Sequence, residues 1–452
     1  MADQTRVSAV DLSGSLGRAT WQVAWPVMVT SALFTVLHLV DTFWVGRLGR
    51  AAVAGVALSG SVFGVLFSLS SVFTVGTMAT AARAAGANSR EGVAATLRHA
   101  LLLVILLSTP VGALGCVLAR RLLSLFGPAS DVLRVGTPYL SWLLAASPGF
   151  FCGMVMYSVF QALGDTRTPM YVMLVTNLAN IVLDPILIFG WFGLPRLGTT
   201  GAAIATVLTQ TLGLGAMVVV MARRRLLVPG RLQRRLFAGL LSIGVPAGLQ
   251  GATRPVTGML MFAMVTRFGT AAMAAFGIGM RALEVMYVYL SGLASAGEAL
   301  VGQSLGRNDP VLAERVVRRI TFIGSLLQMA TMPLLFIFAS SVIALFNADP
   351  EVVHHGTVYL RYVTPTLLVL GLVTGWASAQ RGAGATTVPM VAALVSNWLI
   401  KLPISLLLAF TVRLGLAGVW LGIGASIVVE AVILGLGYFG GAWKHKEVMW
   451  HS

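Results

Sequence analysis

The stretch Leu37-His38-Leu39-Val40-Asp41-Thr42-Phe43-Trp44-Val45-Gly46-Arg47-Leu48-Gly49 closes a long apolar segment that begins near Leu16. Asp41 is the only acid of that segment. A charged carboxylate at bilayer depth costs about 2.5–3.5 kcal/mol on insertion scales, so acids inside membranes usually mark a functional site. The alternative is that Asp41 pairs with a buried arginine and only holds helices together. The rest of the chain decides between these two roles.

Composition places the chain in a membrane. Hydrophobic residues make up 57% of its 452 residues and charged residues only 10%, against about 25% charged in soluble domains. Apolar segments of bilayer-spanning length follow one another, separated by turn residues. They lie at about 16–46, 51–82, 93–122, 133–162, 168–192, 198–222, 236–266, 271–302, 312–346, 352–380, 388–412 and 415–442. The pattern predicts an all-α integral membrane protein with twelve transmembrane helices.

The basic residues indicate topology. A net charge of +16 would suggest nucleic acid as the partner of a soluble protein. Here most basic residues lie in loops, above all in the run Arg223–Arg235, so they report orientation and contact with anionic lipid. The positive-inside rule then predicts cytoplasmic termini in the inner membrane. We expect small molecules and the bilayer as partners, no nucleic acid, and a monomer, since the fold needs no second copy.

An internal repeat with a constant offset divides the chain. It pairs Pro26 with Pro246, Gly164 with Gly384 and Asn177 with Asn397, and a small gap brings Leu197-Gly198 and Gly201 onto Leu414-Gly415 and Gly418. Six helices per half give a parallel repeat. The repeat predicts an N-terminal lobe at 1–222, a basic cytoplasmic linker at 223–235, a C-terminal lobe at 236–442 and a tail at 443–452. Two pseudo-symmetric lobes around a central cleft are typical of an alternating-access transporter.

The two halves differ in their buried polar residues. The repeat pairs polar side chains of the first half with apolar ones: Asp41 with Met261, Asn180 with Ile400 and Asp184 with Ile404. If the polar groups were only architectural, the second half would need similar ones. The asymmetry therefore favours a functional role for Asp41.

These residues form a candidate ion site. Asn180 and Asp184 are four residues apart and share a helix face, and Pro185 then breaks or kinks that helix. We expect Asp41, Asn180 and Asp184 to converge in the N-terminal lobe, with Thr206 as a candidate fourth oxygen. Two carboxylates in one low-dielectric pocket do not readily ionise together, so the pocket would bind H⁺. The same oxygens could instead hold Na⁺. No other metal and no cofactor is expected.

Several motifs carry a family resemblance. Besides the segment around Asp41, they are Gln161-Ala162-Leu163-Gly164-Asp165, Gly201-Ala202-Ala203-Ile204-Ala205-Thr206 and Val301-Gly302-Gln303-Ser304-Leu305-Gly306. With the twelve helices and the repeat, the chain resembles the multidrug and toxic compound extrusion (MATE) family over nearly its whole length. The set Asp41, Asn180 and Asp184 is similar to that of the DinF-like prokaryotic branch. The resemblance implies an antiporter that takes up H⁺ or Na⁺ at these acids and exports an organic cation or drug.

The chain departs from the NorM-like branch of that family, which uses acids on helices seven and ten. Arg254 stands at the helix-seven position, and 352–380 contains no acid. A sodium site of that type in the C-terminal lobe is not expected. In the mechanism that the resemblance suggests, ion uptake neutralises Asp41 and the first helix bends at a hinge near Pro26. The cavity of the N-terminal lobe then shrinks and the substrate leaves.

The C-terminal lobe carries charges of its own. Arg281 and Glu284 lie three residues apart on the eighth helix, so they can pair. Alternatively Glu284 lines the substrate cleft and attracts cations, with Arg281 and Arg254 beside it. Lys401, like Arg254, lies inside an apolar segment of this lobe and could neutralise Glu284. The sequence assigns no role to Glu298 or Glu430.

Other functions fit less well. A nucleotide-driven pump needs Gly-Lys-Ser/Thr, and the three lysines follow Ile, Trp and His. No His-Glu-x-x-His motif occurs, so no metalloprotease is predicted and the chain is not expected to be an enzyme. The stronger rival is a lipid-linked precursor flippase of related two-lobe fold. It would carry basic residues along its cavity for a pyrophosphate group, for which Arg254, Arg281 and Lys401 are the candidates.

Overall fold

The computed structural model describes Val10 and residues 14–448. Long helices with short turns make up the first half. In chain order they are α1 (Leu16–Gly46), α2 (Arg50–Ser68), α3 (Ser71–Gly86), α4 (Arg90–Ser124), α5 (Ser130–Ala145), α6 (Ser147–Ala162), α7 (Arg167–Phe189) and α8 (Thr199–Arg223). A single 3₁₀ turn, Trp191–Gly193, interrupts the connection from α7 to α8.

The second half repeats this order with more interruptions. Its helices are α9 (Arg234–Val265), α10 (Thr270–Gly306), α11 (Pro310–Ile337), α12 (Ala339–Ala344), α13 (Pro350–Val363), α14 (Leu370–Gly382), α15 (Thr387–Leu394), α16 (Leu402–Leu406) and α17 (Leu416–Phe439). The 3₁₀ stretches are Thr266–Phe268, Thr364–Val369 and Ala442–His445. Two wide π-helical stretches, Val395–Lys401 and Leu407–Thr411, flank α16.

The predicted membrane spans are confirmed. Among the described residues, eleven helical segments are long and apolar enough to cross a bilayer, or twelve if the bent pair α5 and α6 is one span. That pair bends by 49°. The bend follows from Ser147-Pro148, because proline has no backbone N–H and restricts the residue before it. The predicted segment 312–346 was too long: α11 ends at Ile337 and the short α12 follows.

Apolar side chains cover the outside of these helices. On α4, Leu106, Leu114 and Val117 have 65%, 61% and 80% of their surface exposed. Soluble proteins rarely leave large contiguous apolar faces in water, whereas a bilayer solvates them. The surface therefore agrees with a multi-pass membrane protein.

The chain divides into two compact units. The N-terminal unit holds Pro26–Gly244, and the C-terminal unit holds Val10–Trp25 with Val245–Val448. Both boundaries lie inside helices, one in α1 next to Pro26 and the other in α9 next to Pro246. These two prolines are partners in the repeat, so the division follows it. The lobe limits predicted around the linker 223–235 stay a prediction.

Matched glycines build the same turn in both halves. Gly198 and Gly415 have positive φ angles of 57° and 60°, which glycine adopts without a steric penalty. The next glycine of each turn lies against backbone. A Cβ on Gly201 would stand 2.5 Å from the Leu187 carbonyl oxygen, and one on Gly418 would stand 2.6 Å from the Ala409 nitrogen. The repeat therefore preserves the close packing of consecutive helices.

Gly201→Ala is expected to lower the free energy of unfolding by about 1–3 kcal/mol, the usual range for overpacking. The contacted atoms belong to the backbone of α7 and cannot rotate away. The matched control is Gly215→Ala on the same helix, where nothing lies within 4 Å of the added Cβ and alanine stabilises a helix. Thermal unfolding in detergent should separate the two variants, and equal midpoints would contradict the packing.

Candidate functional site

Helix α7 presents a row of polar side chains inside the N-terminal unit. Asn180 and Asp184 are completely buried, and Asn177 is 4% exposed. Their spacing places all three on one helix face. Asn177 Nδ2 donates to the Leu33 carbonyl oxygen of α1 at 2.8 Å. This bond fixes the polar face of α7 against α1.

The structure brings Asp41 of α1 and Asp184 of α7 together. Their carboxyl groups lie within hydrogen-bonding reach of each other, and His38 lies near Asp41 one turn earlier. Asp41 is partly buried. Two acids that are distant in the chain thus form one pair at the interface of two helices.

The oxygen atoms around this pair lack donors. No described residue donates a hydrogen bond to Asp41 Oδ1, to either oxygen of Asp184, or to the side-chain oxygens of Asn177 and Asn180. Buried polar groups are normally satisfied, so each exception calls for a ligand, a proton or water. The described residues contain no group of three or more His, Cys, Asp and Glu side chains suited to a metal. A cation at this site would therefore depend on the amide oxygens as well.

Tyr139 belongs to the surroundings of the acid pair, although sequence reasoning did not assign it a role. It is 9% exposed and lies near both Asp41 and Asp184. It packs in a core cluster with Val45 and Ile188, the apolar neighbours of the two acids. In the internal repeat Tyr139 corresponds to Tyr359. This match was the only sign in the sequence that Tyr139 occupies a special position.

The remaining predicted residues of this unit make local bonds. Thr206 Oγ1 donates to the Ala202 carbonyl oxygen at 3.0 Å, and its membership of the ion site stays a prediction. Thr30 Oγ1 donates to the Pro26 carbonyl oxygen at 2.8 Å. Tyr157 on α6 is hydrogen-bonded to both Thr30 and Gln161. The helix turn that follows Pro26 is therefore tied to α6 by hydroxyl groups.

The charges of the C-terminal unit pair differently from the expectation. Arg254 Nη2 lies 2.9 Å from Glu430 Oε1. Within the described part of the chain, neither Arg281 nor Glu284 forms an ion pair, so their expected pairing is wrong. Both side chains are exposed, where such a pair contributes little. Their place in a substrate cleft stays a prediction.

Two further features are structural. Glu298 Oε1 and Arg381 Nε form an ion pair at 3.0 Å in which both side chains are largely buried.

The run Gly302–Gly306 has the Gly-x-Ser-x-Gly spacing of a hydrolase nucleophile turn, but it lies inside α10. Its Ser304 hydroxyl donates to the Leu300 carbonyl oxygen at 2.7 Å and is fully buried. In α/β-hydrolases the serine of this motif stands on a strained, exposed turn between a strand and a helix, whereas Ser304 is buried inside a continuous helix.

Comparison with a protein family supports the repeat. The family model described as MatE matches residues 26–186 and again 246–407. The two matched segments begin at Pro26 and at Pro246, which are partners in the internal repeat. The matches include Asp41, Asn180 and Asp184 in the first segment.

Similar proteins are found among transporters. The chain is 29% identical over 438 residues to the probable multidrug resistance protein NorM of Thermotoga maritima, covering 95% of this chain and 93% of that protein. It is 28% identical over 402 residues to the FAD transporter of Shewanella oneidensis, covering 88% and 89%. The Vibrio cholerae MATE transporter VcmN in its bent form superposes with a TM-score of 0.87 at 24% identity, over 94% of this chain and 96% of that one. This last similarity concerns the fold.

Proposed function

The chain belongs to the MatE family of multidrug efflux transporters, and we propose that it exports small molecules in exchange for protons that bind at Asp41 and Asp184. It is not an enzyme. The uptake site lies within the N-terminal unit, on α1 and α7. We place the protein in the inner membrane with cytoplasmic termini, acting as a monomer.

The observation that carries this proposal is the contact between the two carboxyl groups. Two ionised carboxylates at hydrogen-bonding distance repel each other, and no described residue donates to Asp41 Oδ1 or to either carboxylate oxygen of Asp184. One proton shared by the pair converts the repulsion into a hydrogen bond. The pair therefore has two states. Without the shared proton the carboxylates push α1 and α7 apart, and with it a hydrogen bond holds the two helices together.

This force can drive the transport cycle. When the pair takes up a proton from outside, the repulsion ends and α1 is drawn to α7, where Asn177 already holds the Leu33 carbonyl. The helix then bends at Pro26, whose ring breaks the helical hydrogen-bond ladder, and the substrate leaves. When the proton leaves toward the cytoplasm, the carboxylates repel and α1 straightens again. Each elementary charge that crosses 100 mV contributes about 2.3 kcal/mol, enough for roughly fiftyfold accumulation.

Sodium is a second candidate for the coupling ion, favoured by the unpaired oxygens of Asn177 and Asn180 beside the two acids. Na⁺ can use such uncharged oxygen ligands together with carboxylates. The proton is preferred because the two carboxyl groups lie within hydrogen-bonding reach of each other, so a single proton can join them directly. A sodium ion would therefore use two amide oxygens in addition to the two carboxyl groups that bind the proton.

Imposed gradients should distinguish the two ions. In proteoliposomes that contain a fluorescent cationic dye, we expect a pH gradient alone to drive dye transport and a sodium gradient alone to drive none. The proton pair needs no sodium. The matched control is the same preparation with a potassium gradient of equal size. Transport driven by sodium at constant pH would reject the proton and assign the site to Na⁺.

For the substrate we propose cationic or amphipathic drugs, with Glu284, Arg281 and Arg254 as candidate residues of the cleft. Glu284 and Arg281 are exposed, and within the described residues neither forms an ion pair. The flippase of related fold remains the alternative. A flippase would need free basic residues along its cavity, and one of the three candidates, Arg254, is paired with Glu430.

A further inference from the structure

A second polar cluster lies in the C-terminal unit, between α9, α17 and the π-helical stretch Val395–Lys401. Arg254 Nη2 donates to Glu430 Oε1 at 2.9 Å. Lys401 Nζ donates to Asn397 Oδ1, and Thr257 Oγ1 lies 3.4 Å from the same oxygen. We call these residues the basic cluster, because it holds two cations and one acid.

The charge of this cluster is unbalanced. Arg254, Lys401 and Glu430 all lie inside segments long and apolar enough to span the membrane, and together they carry one excess positive charge. An uncompensated charge at bilayer depth is costly, and such residues mark ligand or ion pathways. A bound anion would remove the imbalance.

The cluster also has unused donors. Arginine carries five N–H donors and lysine three, and the bonds to described residues account for one donor of Arg254 and one of Lys401. Glu430 is nearly buried, while half of the Arg254 side chain is exposed. The free edge of a guanidinium matches the two oxygens of a carboxylate or phosphate. The cluster can therefore receive an anionic group without losing its existing pair.

The backbone is irregular at the same place. The stretch Val395–Lys401 is π-helical, and it carries both Asn397 and Lys401. The corresponding part of α7 is ordinary α-helix. π-Helical turns are rare and concentrate at functional sites. The second half therefore departs from the repeat in backbone and in charge at one location.

The internal repeat shows how the basic cluster differs from the matching part of the first half. Asn397 corresponds to Asn177, which lies on the acidic face of α7, whereas Lys401 corresponds to the apolar Ile181. The same two segments of the repeat therefore carry acids in the first half and bases in the second, although at different positions. We propose that the basic cluster binds an anionic oxygen group, a carboxylate or a phosphate, carried by an otherwise apolar molecule. This inference rests on the proposed export of small molecules and extends it to acidic or zwitterionic substrates.

Binding to the purified full-length protein tests the proposal. The probe is 11-(dansylamino)undecanoic acid, and its methyl ester is the matched neutral compound. We expect the acid to bind about tenfold or more tightly than the ester, the factor expected of one charge-assisted hydrogen bond. Competition by lysophosphatidic acid would show that a lipid phosphate is accepted, and competition by undecanoic acid alone would restrict the site to carboxylates. Equal affinity for acid and ester would overturn the proposal.

Two variants should shift the affinity in opposite directions. Lys401→Met is expected to weaken binding of the acid about tenfold and to leave the ester unchanged. Glu430→Gln removes the competing carboxylate and should strengthen binding of the acid severalfold. A misfolded protein cannot bind more tightly, so the second variant keeps the test decisive. Lys444→Met, which removes a lysine paired with Glu314, is the control, and equal weakening of acid and ester by Lys401→Met would contradict the site.

The outcome is separable from that of proton coupling. Binding needs no ion gradient, so Asp41→Asn should retain the preference for the acid over the ester. If this preference persists while transport ignores the pH gradient, only the coupling proposal fails. If transport follows the pH gradient while acid and ester bind alike, only the anion site fails.

Discussion

Asp41→Asn is expected to abolish accumulation of substrate against a gradient. At a driving force of 100 mV the ratio across the membrane should fall from roughly fiftyfold to about one. An amide carries no charge and can donate a hydrogen bond to an ionised Asp184, so the repulsion between α1 and α7 no longer appears when a proton leaves the pair. The variant keeps the size of the side chain and should insert and fold normally. Dye transport into inverted vesicles under an imposed pH gradient measures the effect.

The matched control is Asp131→Asn, the same substitution at an exposed acid near the start of α5. It should transport as the unchanged protein does. Asp184→Asn, at the other member of the pair, should lose uphill transport as Asp41→Asn does. Accumulation driven by the pH gradient in both single variants would remove these acids from the coupling step.

Arg381→Gln is expected to destabilise the protein by about 3–5 kcal/mol, because breaking a buried pair leaves its partner charge uncompensated. That partner is Glu298, which lies 3.0 Å from Arg381 Nε and is 14% exposed. The loss should appear as a large fall in the thermal unfolding midpoint and in the yield of folded protein.

The first half of the chain shows which residues could replace this ion pair and restore stability. In the repeat, Glu298 corresponds to Met78 and Arg381 to Gln161, and both of these are buried at the matching place without a charge. The double variant Glu298→Met with Arg381→Gln should therefore regain most of the stability. A double variant no more stable than Arg381→Gln would contradict the uncompensated Glu298 charge as the cause of the instability.

Much of the fold could be predicted from the sequence. Membrane helices satisfy their own backbone hydrogen bonds, so apolar runs and turn residues define them locally, and α1 was predicted at its observed limits. The repeat could be read from matched glycines and prolines because close backbone contacts, such as that of Gly201, admit no other residue. The contact of Asp41 with Asp184 followed from the same repeat, since it isolated the two polar residues that the second half lacks. Their role in coupling stays a prediction.

Other features depend on contacts that the local sequence does not encode. Arg254 and Glu430 are far apart in the chain, and helix rotation decides whether they meet. The pairing of Arg281 with Glu284 was predicted from spacing alone and was wrong, since spacing does not determine whether two exposed chains reach each other. The π-helical stretch at Val395–Lys401 has no local signature either. Its π-helical turns are recognised only from the backbone hydrogen bonds of the structure.

Proton release during substrate binding tests the central claim most directly. Purified protein in weakly buffered detergent solution, with a pH-indicating dye, should release about one proton for each cationic substrate bound, because the substrate favours the ionised state of the acid pair. The double variant Asp41→Asn with Asp184→Asn should release none. Undiminished release by this double variant would contradict the account.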